Sequence, residues 1–131
     1  MRDTFYQIRD CLPLWRAALA LSLIAILWLA TTSHPSPIPS APSDKVNHLI
    51  AFVELTLLSR LGWPGKTILR HAYALLAFGL ALELVQSQLD YRDFSWADLL
   101  ADGAGIALGL LPWPLLPPAG KMTRHLDKDI I

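Results

Sequence analysis

The chain has 131 residues, of which 53% are hydrophobic and 17% are charged, and its formal net charge is zero. An ordinary soluble domain has about 25% charged residues, so this composition argues against a water-soluble fold and favours one small membrane unit. The neutral balance gives no sign of a nucleic-acid partner, and we expect none. The single cysteine, Cys11, excludes an internal disulfide and a cysteine-rich metal site.

Four apolar stretches are candidates to cross a bilayer, at about 14–30, 45–61, 67–86 and 95–116. A hydrocarbon core of about 30 Å needs roughly 17 to 25 helical residues, so each stretch falls near the required length. Proline, glycine and polar residues fill the connectors at 33–43, 62–65 and 87–94, and prolines from Pro112 onward mark where the chain leaves the membrane. We therefore predict an all-α polytopic membrane protein made of a cytoplasmic segment at 1–13, a bundle of four transmembrane helices at 14–111 and a cytoplasmic tail at 112–131.

The first apolar stretch also has features of a secretory signal, because three arginines precede a short apolar run. No clear A-x-A cleavage site follows that run, and Trp28 lies where a helix would meet the membrane interface. These features favour a retained span. Cleavage would leave three spans in the same orientation.

The distribution of lysine and arginine predicts the orientation of the four spans, since positive residues concentrate on the cytoplasmic side. Nine lie on one side of the predicted membrane: Arg2, Arg9, Arg16, Arg60, Lys66, Arg70, Lys121, Arg124 and Lys128. The other side holds Lys45 and Arg92. Both termini are therefore expected in the cytoplasm. The outward ends then carry an excess of acidic residues, namely Asp44, Glu83, Asp90, Asp93, Asp98 and Asp102.

Polar residues recur at helical spacing near these outward ends. Each of three spans carries such a pair on one helix face: Lys45 with His48, Glu83 with Gln86, and Asp98 with Asp102. Ionisable side chains inside a membrane span cost about 2.5 to 3.5 kcal/mol each on insertion scales, so they mark pairing or function. The spacing predicts an outward-facing polar pocket.

The last span continues this polar face into small residues. Asp98, Asp102, Gly105 and Gly109 form one stripe, whose GxxxG end permits close helix packing within the chain or in a homodimer. Ser95 followed by Asp98 resembles a capping box, and capping alone could account for Asp44, Ser95 and Asp98. It does not account for Glu83 and Asp102, which lie inside their predicted helices.

Structural explanations compete with a functional pocket. Lys45 or Arg92 could neutralise the carboxylates in an internal ion-pair network, and His48 could be a buried histidine bonded to another helix. Glu54 lies mid-span, outside the predicted pocket, and is expected to bond between helices or face an oligomer contact. At the cytoplasmic ends, Arg60 is expected to extend towards water and His71 to act as an interface anchor.

The order of these polar residues resembles the VanZ-like family of integral membrane proteins. The resemblance covers about residues 44–110, in the order Asp44-Lys45-x-x-His48, Glu83-x-x-Gln86, Arg92-x-x-Ser95-x-x-Asp98 and Asp102-x-x-Gly105-x-x-x-Gly109. The family more often has asparagine where this chain has Asp102. It takes its name from glycopeptide-antibiotic resistance clusters, where such a protein raises tolerance to teicoplanin. The resemblance implies a bacterial inner-membrane protein acting at the cell envelope, with a polar site on its outward face.

Several function classes remain open. The pocket could bind an envelope lipid or a glycopeptide-like ligand. The protein could be an enzyme on lipid-linked substrates, with His48 or a carboxylate as general base and a divalent cation held by Glu83, Asp98 and Asp102. It could be a scaffold within an envelope complex, or a proton-coupled carrier.

Overall fold

A computed structural model describes residues 1–32, 44–90, 94–114 and 116 of the chain. These residues form five α-helices and no strand: α1 (Arg2–Arg9), α2 (Leu12–Thr31), α3 (Asp44–Gly62), α4 (Ile68–Ser87) and α5 (Trp96–Gly109). The prediction of an all-α chain is confirmed for the described residues. The short helix α1 was not predicted, and the predicted tail from 117 onward lies outside the described residues.

Local sequence signals account for where the helices begin and end. Pro13 lies in the first turn of α2, where its missing N–H costs no hydrogen bond. The hydroxyl of Thr67 caps α4 by accepting from the backbone N–H of Arg70 (3.4 Å). At the other end of the chain α5 ends at Gly109, because Pro112 follows and cannot continue a helix. The fourth span is therefore shorter than the predicted 95–116.

The four long helices run alternately up and down. Close pairs at both ends of the bundle establish this order: Gln86 contacts Ala30 at one end, and Arg16 contacts Gly62 at the other. Consequently α3 and α5 run in the same direction and α4 runs opposite to both. The end of α2, the start of α3, the end of α4 and the start of α5 therefore lie together.

The interior of the bundle holds as many polar side chains as apolar ones. Among the described residues, seven hydrophobic side chains are buried, and so are seven polar or charged ones: Thr56, Ser59, Arg60, His71, Glu83, Gln86 and Asp102. Large apolar side chains instead face outward, as in Leu21, Trp28 and Leu100, whose exposed fractions are 68%, 63% and 75%. This arrangement is the reverse of that of a soluble domain, in which contiguous exposed apolar surface is small.

Two helices, α2 and α4, are long and apolar enough to cross a membrane. Each has 20 residues, which corresponds to about 30 Å at 1.5 Å per residue. The helices α3 and α5 fail on different grounds: α3 carries five ionisable residues, and α5 has only 14 residues. The side chains of α2 also join the bundle, since Leu19 lies in the core and the Ser22 hydroxyl donates to Glu54 Oε1 (3.0 Å).

The cytoplasmic-end predictions for Arg60 and His71 were wrong. Arg60 is only 4% exposed, and its guanidinium donates to the carbonyl oxygens of Gly109 (2.8 Å) and Leu111 (2.7 Å). His71 is buried, with Nδ1 2.6 Å from the Ser59 hydroxyl. The last carbonyls of α5 have no partner within their own helix, so a cation bonded there is more favourable than one extended into water.

Candidate functional site

A cluster of four ionisable side chains lies where α3, α4 and α5 meet at the end of the bundle that also holds the end of α2. We call it the acidic–histidine cluster, and its members are His48, Glu83, Asp98 and Asp102. The alternating helix directions place one turn of each helix at this point. The structure thus brings together four of the residues that the sequence analysis assigned to the polar pocket.

His48 and Asp102 form the closest pair in the cluster. The Nδ1 atom of His48 lies 2.7 Å from Asp102 Oδ1, and the carboxylate is completely buried. An ionised carboxylate only accepts hydrogen bonds, so when Asp102 is ionised Nδ1 is the donor of this pair. The lone pair of a neutral imidazole is then on Nε2, which lies 3.8 Å from Asp98 Oδ2, beyond hydrogen-bond distance.

Glu83 joins α4 to the start of α5. Its Oε2 accepts the backbone N–H of Ser95 (3.0 Å), an amide at the N-terminus of α5 where negative charge is favourable. Glu83 Oε1 is buried and has no hydrogen-bond partner among the described residues. Because an unsatisfied buried carboxylate oxygen is costly, this atom marks a place where a further group would be stabilising.

Asp98 has two roles. Its backbone N–H donates to the Ser95 hydroxyl (3.2 Å), which is the predicted helix cap. Its carboxylate does not complete a capping box, because the backbone N–H of Ser95 donates to Glu83 instead. The carboxylate points towards His48, and the side chains of His48 and Asp98 are 14% and 17% exposed. Solvent therefore reaches the cluster along this edge.

Two other predicted pocket residues that the structure describes, Gln86 and Lys45, do not join the cluster. Gln86 is buried, and its Nε2 donates to the Ala30 carbonyl at the end of α2 (3.1 Å), so it connects two helices. Lys45 is exposed and makes no ion pair with a described carboxylate, because its side chain leaves the first turn of α3 towards solvent. Asp44 begins α3, but its side chain lies outside the description, as does the whole of Arg92.

Three glycines allow the helices to approach closely around the cluster. A Cβ at Gly105 would lie 2.5 Å from the carbonyl oxygen of Leu49, and one at Gly109 would lie 2.5 Å from Thr56 Cβ. The GxxxG therefore has an internal partner in α3. Sequence reasoning missed Gly79, where a Cβ would lie 2.8 Å from Asp102 Oδ2. Its position four residues before Glu83, on the same face of α4, was the available signal.

The side chains of the acidic–histidine cluster are buried or mostly buried, with exposed fractions between 0% and 17%. A cavity of about 400 Å³ lies instead along one side of α3, lined by Leu49, Ile50, Val53, Glu54, Leu57 and Leu58. Its lining is almost entirely apolar, and no member of the acidic–histidine cluster contributes to it. This groove begins at Leu49, the residue after His48 in the chain, so it starts at the same end of the bundle as the cluster but on a different face of α3.

The arrangement also changes the predicted metal ligands. His48, Glu83 and Asp98 each offer one ligand atom, and these three atoms lie within 4.8 Å of one another. Asp102, which the sequence analysis included, is instead bonded to His48. Among the described residues, no lysine or arginine forms an ion pair with these carboxylates.

Comparison with protein-family models, curated proteins and solved structures returned no match to this chain. The fold and site define its class: a helical bundle with an apolar exterior and a buried carboxylate–imidazole cluster at one end.

Proposed function

We propose that this chain is a VanZ-like protein of the bacterial inner membrane that recognises an amphiphilic envelope lipid at the outward end of its bundle. Four spans, α2 to α5, cross the bilayer with both termini in the cytoplasm, and α2 is retained. The observation that carries the proposal is the reversed distribution of side chains, with apolar residues outside and the acidic–histidine cluster inside one end.

The membrane location is supported by the outer surface of the bundle. The helix α2 is both apolar enough to span and mostly exposed, so it is not the buried core helix of a soluble protein. The charges of α3 are accommodated by position: Arg60 and Glu54 are bonded to other helices, and His48 lies near the helix end. Burying such groups between helices is how membrane proteins tolerate them.

The short helix α5 fits the same arrangement. Its 14 residues correspond to about 21 Å, less than the hydrocarbon core, but its Asp98 end and its Gly109 end both pack against α3. Nine of the lysine and arginine residues fall on the side opposite the cluster and two on the cluster's side, which supports an outward-facing cluster.

The nature of the ligand is suggested by two adjoining surfaces. The apolar groove extends along α3 from Leu49 to Leu58, roughly 13 Å at 1.5 Å per residue, which suits part of an acyl chain. His48 and Asp98 lie at the same end of the bundle as Leu49, and they would contact hydroxyl or amine groups of a head group. A lipid fits both surfaces better than a water-soluble glycopeptide does. Tolerance to teicoplanin-type antibiotics would follow from binding or retaining such a lipid.

A metal-assisted enzyme acting on a lipid-linked substrate is the second candidate. The specific observation that favours it is the His48–Asp102 pair, because a carboxylate that orients an imidazole is a common component of general-base and metal sites.

The proposal is tested with Asp98→Asn and a matched control, Asp90→Asn, which alters an exposed aspartate outside the cluster. Each form is produced in a bacterial membrane, its level is measured, and native mass spectrometry identifies lipids that remain bound after purification. Teicoplanin tolerance is measured in the same cells. We expect Asp98→Asn to reduce lipid retention and tolerance, and Asp90→Asn to match the original chain.

Equal retention and tolerance in the two variants would refute the role of the cluster. Reporter fusions at both termini test the topology separately. A reporter that is active outside the cytoplasm at either end would contradict the proposed orientation.

A further inference from the structure

We infer that the acidic–histidine cluster is a zinc-type metal site, with His48 Nε2, Glu83 Oε1 and an oxygen of Asp98 as ligands and Asp102 as the residue that orients His48. The inference deepens the proposed function because it concerns the same site. The metal site is inferred from the geometry of the cluster and does not depend on which lipid binds.

The availability of each donor atom is the first argument. Asp102 holds Nδ1 of His48 at 2.7 Å, which leaves Nε2 directed towards Asp98. Ser95 holds one oxygen of Glu83, and the other oxygen is buried without a partner among the described residues. The three residues come from three different helices, and one ligand atom from each lies within 4.8 Å of the others.

Charge is the second argument. Three carboxylates meet one imidazole here, and no lysine or arginine in the described part of the chain forms an ion pair with them. Buried charges without compensation are costly, so a bound cation would offset this excess. Fully exposed acidic groups would be screened by water, but Glu83 and Asp102 are both 0% exposed.

The ligand types indicate which metal the site prefers. Imidazole nitrogen suits zinc and similar transition metals, whereas magnesium and calcium prefer oxygen ligands only. Zinc sites with three protein ligands commonly keep a fourth position for water or substrate. A zinc-bound histidine usually forms a hydrogen bond to a carboxylate through its other ring nitrogen, as His48 does to Asp102.

The spacing requires a small adjustment on binding. Ligand atoms around tetrahedral zinc are about 3.3 Å apart for bond lengths of about 2.0 to 2.1 Å, so donors up to 4.8 Å apart must close by roughly 1.5 Å. Asp98 can supply this movement, since its side chain is partly exposed and its carboxylate accepts no hydrogen bond from another described residue.

The experiment uses the full chain in detergent, freed of metal by a chelator, with Zn²⁺ alone as the probe. Metal content after gel filtration gives the stoichiometry, and competition with a chromophoric chelator gives Kd. We expect one Zn²⁺ per chain with micromolar or tighter Kd, and a rise in Tm that the chelator reverses. Failure of the unmodified chain to bind one Zn²⁺ would overturn the inference without reference to any variant.

Variants then assign the ligands. Asp98→Asn should weaken binding by at least about tenfold, because it replaces a charged ligand at the partly exposed edge while its backbone cap remains. Asp102→Asn should weaken binding by about 10- to 100-fold but keep the stoichiometry and the visible spectrum of the Co²⁺ form, as expected of a positioning residue. Glu54→Gln, on α3 outside the cluster, should leave Kd unchanged. Unchanged affinity in Asp98→Asn, or equal loss in Glu54→Gln, would contradict the assignment.

The outcomes separate this inference from the proposed function. A chain that retains lipid but binds no Zn²⁺ overturns the metal site alone. A chain that binds Zn²⁺ but retains no lipid supports the metal site and refutes lipid recognition.

Discussion

The contact between α5 and α3 at Gly105 determines whether the cluster can form, and Gly105→Ala tests it directly. A Cβ at this position would lie 2.5 Å from the Leu49 carbonyl oxygen and 3.0 Å from Phe52 Cβ. The oxygen belongs to a helix backbone and cannot rotate away as a flexible side chain would. The two helices must therefore move apart, and this separation would strain the His48–Asp102 hydrogen bond one turn away.

Two opposing effects determine how much Gly105→Ala changes the free energy of unfolding. Replacing a helical glycine with alanine stabilises the helix by up to about 1 kcal/mol, because alanine has the higher helix propensity. Forcing an extra carbon into a packed contact costs about 1 to 3 kcal/mol, and the upper part of that range applies here because the obstructing atom is in the backbone. We expect Gly105→Ala to lower the free energy of unfolding by about 1 to 2 kcal/mol net.

The same helix supplies a matched control. A Cβ at Gly103 would meet only Leu76 Cδ2, at an ordinary distance of 3.9 Å. Gly103→Ala should therefore leave stability unchanged or raise it by up to about 1 kcal/mol. Unfolding of both variants in one detergent, followed by circular dichroism on heating or SDS titration, gives the comparison. If Gly105→Ala proves as stable as Gly103→Ala, the proposed close approach of α5 to α3 is wrong.

Two further predictions concern buried polar side chains outside the cluster. Arg60→Met should lower the free energy of unfolding by about 1.5 to 3 kcal/mol, because it removes charged hydrogen bonds to the end of α5. The same unfolding assay checks this, and an unchanged midpoint would show that Arg60 is not buried as described. Gln86→Leu should cost about 0.5 to 1.5 kcal/mol by removing the bond to the last turn of α2. Gln88→Leu, at an exposed position, is its control, and equal losses in the two variants would contradict the assigned bond.

Much of the helical organisation follows from short-range features of the sequence. Apolar stretches, prolines and the cap at Ser95 placed four helices close to their observed bounds. The predicted end of the last helix was wrong by several residues. A run of leucines continues past Gly109, and the prolines from Pro112 outweigh its apolar character.

The cluster could be predicted in part because helical periodicity is local. Spacing assigned Asp98 and Asp102 to one face, and the alternating order of helices placed His48 and Glu83 at the same end. Periodicity does not specify which atoms meet. The pairing of His48 with Asp102 and of Glu83 with the Ser95 amide depends on how far each helix is rotated and displaced against its neighbours.

Long polar side chains were the hardest to predict. Lys45 and Arg60 both lie near helix ends, and sequence reasoning directed Lys45 inward and Arg60 outward. The structure has the reverse, since Arg60 finds the free carbonyls of α5 and Lys45 has no described acidic partner within the bundle. Such side chains can reach either environment, so their direction depends on acceptors contributed by other helices.

An apolar, helical chain with polar groups gathered at one end is thus encoded in composition and periodicity, because both reflect interactions between neighbouring residues. Which atoms of the cluster pair with one another, and which nitrogen of its histidine is left without a hydrogen bond to a described residue, depend on contacts between helices, such as that of His48 with Asp102, 54 positions apart. Those contacts depend on Gly79, Gly105 and Gly109 bringing three backbones close together, and the distance between helices is not a property of any single segment.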